Sequence, residues 1–451
     1  MLFSKYSSIR HYVVCSVIFL LYATLPACSS DSSDKGPPPQ GSEFPAAFDE
    51  SVSYSNTIYV SAAASPGGDG SQLLPYDTIR DGLLNAAPGT QVRIAAGTYG
   101  GAGAFSDVQG MATAPIAIVA DGQVIIDGGD AEMAFYFSDA RYLVFDGLTI
   151  QNTSPHGINM DDGGSYDTPS EFIVFRNMNF RNIGATGQNR DCLKLSGVNN
   201  FYIEMSRFEN CRDGEAIDMV GSHDGIITEN YFANMGINGI NTKGGTANIH
   251  IHGNQFVDIP QRSINAGGSS NIAVFRPIDA EYEGSQIHIT ANIFVRPGST
   301  PVAFVGCDTC VFANNTIIEP QNYIARILEE NTQKTAGHSG YFINNIIVFN
   351  SSQISPIYVG VGSNTTPATY TFGWNLWYSL DNNQFAGPTY GDSIIETSSV
   401  IQQDPNLDAN YRTQAGSPAF GQGTTVIRGL IGDYDRNAYA NPPSIGAFSQ
   451  P

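Results

Sequence analysis

Asp191, Glu215, Asp218 and Lys243 have the residue types of a site that removes a proton from beside a carboxylate. Carboxylate oxygens are the ligands that a hard cation such as Ca2+ takes. Such a cation acts as a Lewis acid, neutralising a substrate carboxylate so that the adjacent C–H bond becomes more acidic. A base must then remove the proton, and a lysine does so when burial or nearby cations lower its pKa toward the working pH. These are the needs of a β-elimination beside a carboxylate, with Asp191, Glu215 and Asp218 as metal ligands and Lys243 as the base.

Glu215 follows Asp191 by 24 residues, and Lys243 follows Asp218 by 25. The four can meet only if the chain returns to the same place at that interval, and a repeat shows that it does. Five segments open alike, Gly157-Ile-Asn-Met-Asp-Asp, Cys192-Leu-Lys-Leu-Ser-Gly, Ala216-Ile-Asp-Met-Val-Gly, Gly239-Ile-Asn-Thr-Lys-Gly and Ser263-Ile-Asn-Ala-Gly-Gly, and Pro301-Val-Ala-Phe-Val-Gly is a sixth. After each comes a second alternating stretch and then an Asn-x-apolar unit, as at Asn230, Asn254, Asn292, Asn315 and Asn345. Three short strands per repeat are stable only when stacked coil on coil. The class is all-β, a parallel solenoid with coils of about 24 residues and strands about 4.8 Å apart.

Alternation sorts the first strand of each repeat by face. Ile217 and Met219 point inward, which leaves Asn159 and Asp161, Lys194 and Ser196, Asp218, Asn241 and Lys243, and Asn265 facing out on successive coils. His156, Asp191, Glu215, Asn238 and Arg262 stand at the preceding corner. Lys194 is either an ion-pair partner of Asp218 or, with Asn241 and Asn265, a substrate contact. His223, beside Asp224, is a turn element, half of a catalytic dyad or a further substrate contact, while His250 and His252 read as surface residues. Two coils swell after their first strand, at 163–171 and 275–283, and these loops could wall a cleft, with Arg276 and Tyr282 offered to sugar carboxylates and ring faces. An amphipathic helix over Tyr76–Ala87, started by Asp77 or Thr78 and stopped by Pro88-Gly89, is expected to cover the first coil.

Composition agrees with stacked coils. Of 451 residues only 14% are charged, while 48 are Gly and 35 are Asn, which excludes coiled coils and long charged helices. The net charge of -21 argues against nucleic acid as a partner, because such affinity comes from Lys and Arg on phosphates. An acidic polysaccharide remains suitable where Lys194, Lys243, Arg262 and Arg276 gather on one face. The chain is expected to act as a monomer.

At the N-terminus, Lys5 and Arg10 precede an apolar run from Val13 to Leu21, too short to span a membrane, and then Leu25-Pro26-Ala27-Cys28. This ending resembles a bacterial lipobox, which implies lipidation at Cys28 after a 1–28 signal peptide, a Ser/Pro/Gly tether over 29–55, and anchoring in a bacterial cell envelope, or else plain secretion. The folded domain then runs from 56 to 451. Cys192, Cys211, Cys307 and Cys310 read first as buried free thiols, with a structural disulfide as the alternative an oxidising compartment permits.

The phrases Ile58-Tyr-Val-Ser, Thr78-Ile-Arg, Ala87-Pro-Gly, Gly97-Thr-Tyr, Gly416-Ser-Pro-Ala-Phe-Gly and Ile445-Gly-Ala-Phe resemble those of right-handed parallel β-helix proteins. Within that group the chain is similar to secreted polysaccharide lyases of the pectate-lyase and alginate or chondroitin-lyase types, over about residues 56 to 450. The resemblance implies Ca2+, a Lys base and a uronate-containing glycan. In calcium-dependent pectate lyases an Asp-Asp-Gly-x-Asp cluster stands where this chain has Asp213-Gly-Glu215-Ala-Ile-Asp218, and the Ile-x-x-Lys phrase of the other lyases is matched by Ile240-Asn-Thr-Lys243. Their next coil carries an Arg where this chain has Ala266-Gly267-Gly268, so Arg262 or Arg276 is the candidate for that catalytic role. A glycoside hydrolase on the same solenoid and a non-catalytic glycan-binding protein are the alternatives.

Overall fold

The computed structural model describes residues 48, 50, 51, 53–131, 133–184, 190–334, 338–391, 393–425 and 431–449. The expected secretory segment, Cys28 and most of the expected 29–55 tether lie outside these residues. The end of that stretch is packed down: Phe48 is buried with Ala117, Val144 and Val174, and Glu50 pairs with Arg176 at 2.8 Å.

The chain winds into stacked coils whose strands form two parallel sheets. One sheet holds ten strands, one per coil, from Gly103–Ser106 to Val359–Val361. The other holds 23 strands, mostly the second and third of each coil. Inward positions are mostly apolar, as at Leu193, Leu195, Ile217, Met219 and Ile240, all fully buried, with Thr242 a polar exception. Phe180, Phe208, Phe232, Phe256 and Phe294 stack face to face with centroids 4.6 to 5.0 Å apart, the spacing of the coils themselves.

The corner between the second and third strands needs one residue in the left-handed region. Met205, Glu229, Gly253, Ala291, Asn314, Asn344 and Trp374 supply it, with φ from 49° to 64°. Such a conformation is unfavourable for most side chains, and the residue that follows it compensates. Asn230, Asn254, Asn292, Asn315, Asn345 and Asn375 stand there, fully or almost fully buried, each donating its amide to a carbonyl of the coil before. Each Oδ1 from Asn254 onward accepts both the backbone N–H, at 2.9 Å, and the Nδ2, at 3.0 to 3.2 Å, of the preceding Asn. The ladder thus satisfies turn groups that would otherwise be buried without partners.

The first coil is covered by the helix Ile79–Leu84, shorter than the expected 76–87. Thr78 caps it by accepting from Asp81 N–H at 3.0 Å, and Ile79 and Leu83 are buried with Val60 and Val92 in the coil core.

Two expectations change. The cysteines are paired, Cys192 with Cys211 and Cys307 with Cys310. Coil closure brings Cys192 and Cys211 to a Cα separation of 5.7 Å despite a sequence separation of 19, within disulfide reach. His252, expected at the surface, is 1% exposed and bonded to Thr290 Oγ1 at 2.9 Å, because the segment around Asp433 and Tyr434 folds back over this face. His250 stacks on His288 beside it, with centroids 4.8 Å apart.

Replacing Asn254 with Ala leaves the Asn230 N–H and the carbonyls of Ile227 and His252 without their partner. The expected loss is about 3 kcal/mol, read by chemical denaturation, and an unchanged midpoint would remove the ladder from its structural role. Acid should also weaken the fold. Burial holds His250 and His252 at about 4, below the ordinary 6.5 that they regain on unfolding. The unfolded chain therefore binds more protons between those values, and the melting temperature should fall as pH drops through that window and fall less in His252→Gln.

Candidate functional site

Three adjacent strands of the ten-stranded sheet carry the predicted chemistry: Leu193–Ser196, Ile217–Val220 and Ile240–Lys243. Their register is parallel and unshifted, aligning Lys194 with Asp218 and Asn241, and Ser196 with Val220 and Lys243. With Leu195 and Met219 committed to the core, Lys194, Asp218 and Lys243 must face outward together.

The corner before these strands holds the expected column, and its side chains bind the next coil. His156 Nδ1 accepts the N–H of Asp191 at 3.0 Å, Asp191 Oδ1 accepts the N–H of Glu215 at 3.1 Å, and Asn238 Oδ1 accepts the N–H of Arg262 at 3.2 Å. Asn238 also donates to Glu215 Oε1 at 3.0 Å and to Asn241 Oδ1 at 3.3 Å. Each corner residue is thereby oriented by its neighbour along the stack.

Asp191, Glu215 and Asp218 converge, with one carboxylate oxygen from each lying within 4.8 Å of the others, and all three are buried. Two ammonium groups reach the same place. Lys194 pairs with Asp218 and lies 4.0 Å from Asp191 Oδ2, and Lys243 Nζ lies 3.0 Å from Asp218 Oδ1. Gly268 leaves room for the Lys243 stem, since a Cβ there would stand 2.8 Å from that of Lys243.

The charges do not balance. Burial, then the charge of Asp218, raises the Asp191 carboxyl above its ordinary range, and burial with both aspartates pushes Glu215 up to about 8. Asp218 goes the other way: burial opposes its charge, but Lys194 and Lys243 outweigh burial and hold it low. Burial likewise opposes the charge of Lys243, yet Asp218 prevails and raises its pKa. His156, buried beside Lys194, is lowered to about 4 and is neutral at physiological pH. Asp191 Oδ2 is buried and accepts no hydrogen bond. A buried carboxyl group held partly protonated, beside a carboxylate oxygen without a hydrogen-bond donor, is a donor set that a hard cation with oxygen ligands fits.

Beside the cluster, toward the N-terminal coils, a cavity of about 360 Å³ is lined by Asp161, Asp162, Lys194, Ser196, Val274 and Arg276. Both insertions reach it, one through Gly164 and the other through Arg276. Arg276 is held there by Asp162 at 2.6 Å. Other candidates stand apart from the carboxylates. Arg262 bonds Asn265 Oδ1 at 2.8 Å and pairs with Glu330. Tyr282 has Asp308 and Glu281 as its charged neighbours. His223 is held between Asn199 Oδ1 at 3.2 Å and the Gly245 carbonyl at 3.0 Å, edge-on to Tyr166, and makes no hydrogen bond to Asp224. Glu283 escaped the sequence reading, although it closes the second insertion: it is fully buried and binds the turn after Lys243.

Residues 123–277, the coils that carry this cluster, match the family described as the right handed beta helix region. No curated protein matches the chain by sequence. Among solved structures, the pectate lyase Pel9A is similar at 16% identity over 89% of this chain and 98% of its own, with a TM-score of 0.52. A GH136 lacto-N-biosidase from Eubacterium ramulus is similar at 14% identity over 77% of this chain and 68% of its own, with a TM-score of 0.50. One neighbour is a lyase and the other a glycosidase, so what they share with this chain is architecture. From coil geometry and these likenesses together, the chain is a right-handed parallel β-helix protein.

Proposed function

We propose that the protein is a polysaccharide lyase that cleaves a uronate-containing glycan by β-elimination. The observation that carries this reading is the meeting of Lys243 with three buried carboxyl groups on successive coils of one outward sheet face. Asp191, Glu215 and Asp218 are the residues that would hold Ca2+. Bound there, the ion would supply the positive charge that neutralises the uronate carboxylate and acidifies the proton at C5.

The chain's own groups do the rest. Lys243 takes the C5 proton at Nζ only as the free amine, so the Asp218 carboxylate, which raises its pKa where the sequence reading expected a lowering, must be engaged elsewhere when the base acts. Its basicity follows the charge on Asp218, since burial alone favours the neutral amine and the Asp218 carboxylate opposes it. Lys194 and Arg276 line the adjoining cavity and bind the neighbouring acidic sugar, Arg276 through the planar fork that suits a carboxylate. Asn241 and Asn265 extend the polar row along which the glycan would lie. Lipidation at Cys28 would tether the enzyme in a bacterial envelope, with the acidic polysaccharide as its partner.

One observation favours a hydrolase instead. Glu215, pushed up to about 8, is an acid at neutral pH, and Asp218 beside it stays ionised, the division of roles that a glycosidase uses. Two ammonium groups already sit on Asp218, however, and they would quench it as nucleophile or base.

Incubation with polygalacturonate, alginate and glycosaminoglycans separates these outcomes. An unsaturated uronate absorbing in the ultraviolet supports the lyase, new reducing ends without it support the hydrolase, and no product indicates binding alone. In the Lys243→Ala variant, turnover should fall on the order of 10³-fold, and chelation should abolish it. Full activity in that variant would sink the mechanism.

Calcium should bind more tightly as pH rises. Glu215 has a folded pKa of about 8 against an ordinary 4.5, so the stability that its neutral form contributes is complete below 4.5 and lost as pH rises through 8. A cation relieves that loss, and the rise in melting temperature caused by calcium should be larger at pH 8 than at pH 6. A rise independent of pH would exclude Glu215 as a ligand. Asp218→Asn, which strands two ammonium groups that are each about a fifth exposed, should cost roughly 3 kcal/mol of stability in denaturant titration.

A further inference from the structure

Glu283 is the last residue of the 275–283 insertion and has no exposed surface. Its Oε2 accepts the N–H of Gly244 at 2.8 Å, and its Oε1 accepts the N–H of Ser270 at 2.6 Å and Nδ2 of Asn331 at 2.5 Å. It forms no ion pair with a cationic side chain among the described residues. A carboxylate buried without a cation is costly, and three converging N–H donors are what keep it there.

Two of those donors belong to the turns that frame Lys243, and the third, Asn331, also donates to the Ser270 carbonyl at 3.1 Å. Gly244 directly follows Lys243, and the other turn, 268–270, contains Gly268, on which the Lys243 stem packs. The insertion grips the first turn further through its backbone: Arg276 N–H donates to the Gly244 carbonyl at 3.0 Å, and the Glu283 carbonyl accepts the N–H of Gly245 at 2.9 Å. Gly245, at φ 89°, has no room for a side chain, because a Cβ would lie 2.6 Å from the Arg276 carbonyl oxygen. Within the strand, the Lys243 carbonyl is fixed by the N–H of Gly221 at 2.9 Å and by Thr246 Oγ1 at 2.7 Å. One buried carboxylate therefore ties the backbone that carries the amine to the surface that supports its stem.

We propose that Glu283 is the positioning residue that sets Lys243 for proton abstraction, a role that rests on the lyase reading above. It touches neither the carboxylate cluster nor the cavity beside it, so its removal should disturb the base and leave cation and glycan binding intact. Glu283→Gln keeps the shape but turns an amide NH2 toward N–H donors. Glu283→Asp keeps the charge one methylene short.

Both variants are assayed on the glycan that the wild type degrades, at a temperature where calorimetry shows them folded. In Glu283→Gln, kcat should fall on the order of 10²-fold, the usual cost of misplacing a reacting group by about 1 Å. KM and the calcium dissociation constant should stay within about two-fold, and Glu283→Asp should recover part of kcat. Amide exchange should quicken in the peptide containing Gly244 and Gly245. A folded Glu283→Gln enzyme that keeps its kcat overturns the positioning role while leaving the lyase reading in place. Equal losses in kcat, KM and calcium affinity also overturn it, since they mark general loosening. If Glu283→Gln does not fold, Glu283→Asp carries the same comparison. A wild type that makes no unsaturated product on any acidic glycan overturns the lyase reading, and this role with it.

Discussion

The pitch of the coil is the constraint on which everything else depends. Strands repeat at about 4.8 Å only while every coil holds register with its neighbours, and two columns of side chains keep it. The asparagine ladder ties each corner to the next through both backbone and side chain, and the phenylalanine stack fills the space behind it at the same spacing. A slip of one residue would turn Lys194, Asp218 and Lys243 into the core and bring Leu195 and Met219 out. The cluster is therefore a consequence of the scaffold's period, and its geometry is as rigid as the stack.

On that rigid face the charges are in tension. Three carboxyl groups share a volume with two ammonium groups, and the imbalance appears as a Glu215 held partly neutral and an Asp191 oxygen without a hydrogen-bond donor. Groups pushed to opposite protonation states within one cleft are a mark of functional sites, although structural ion pairs perturb pKa values as well. Here the unevenness argues for function: an ion-pair network serving stability alone would pair all its members, whereas this one satisfies Asp218 twice and Asp191 poorly.

Much of this was legible in the sequence because it is periodic. The repeated phrase marks the first strand, alternation within it sorts Asp218 and Lys243 from Ile217 and Met219, and the same offset from each phrase locates Asp191 and Glu215. What could not be read is what depends on contacts across the period. Cys192 and Cys211 meet through closure of a single coil, and their spacing of 19 residues matches no recurring interval. His252 looks like an outward residue until residues from the C-terminal segment cover it. Arg276 finds Asp162 across 114 residues, through a loop whose path no pattern dictates. Glu283 reads as one more acid in a polar insertion, and only the folded loop shows that it ends on the backbone beside Lys243.

The proposed cation site facing Lys243 is open to a direct check by a crystal structure grown with calcium. One ion should appear between Asp191 Oδ2, Glu215 and Asp218, with oxygen ligands at about 2.3 to 2.6 Å and Lys243 directed toward the open side of the ion. Calcium bound elsewhere, or a calcium-soaked cluster in which Lys194 and Lys243 still cap Asp218 and no ion is present, would contradict it.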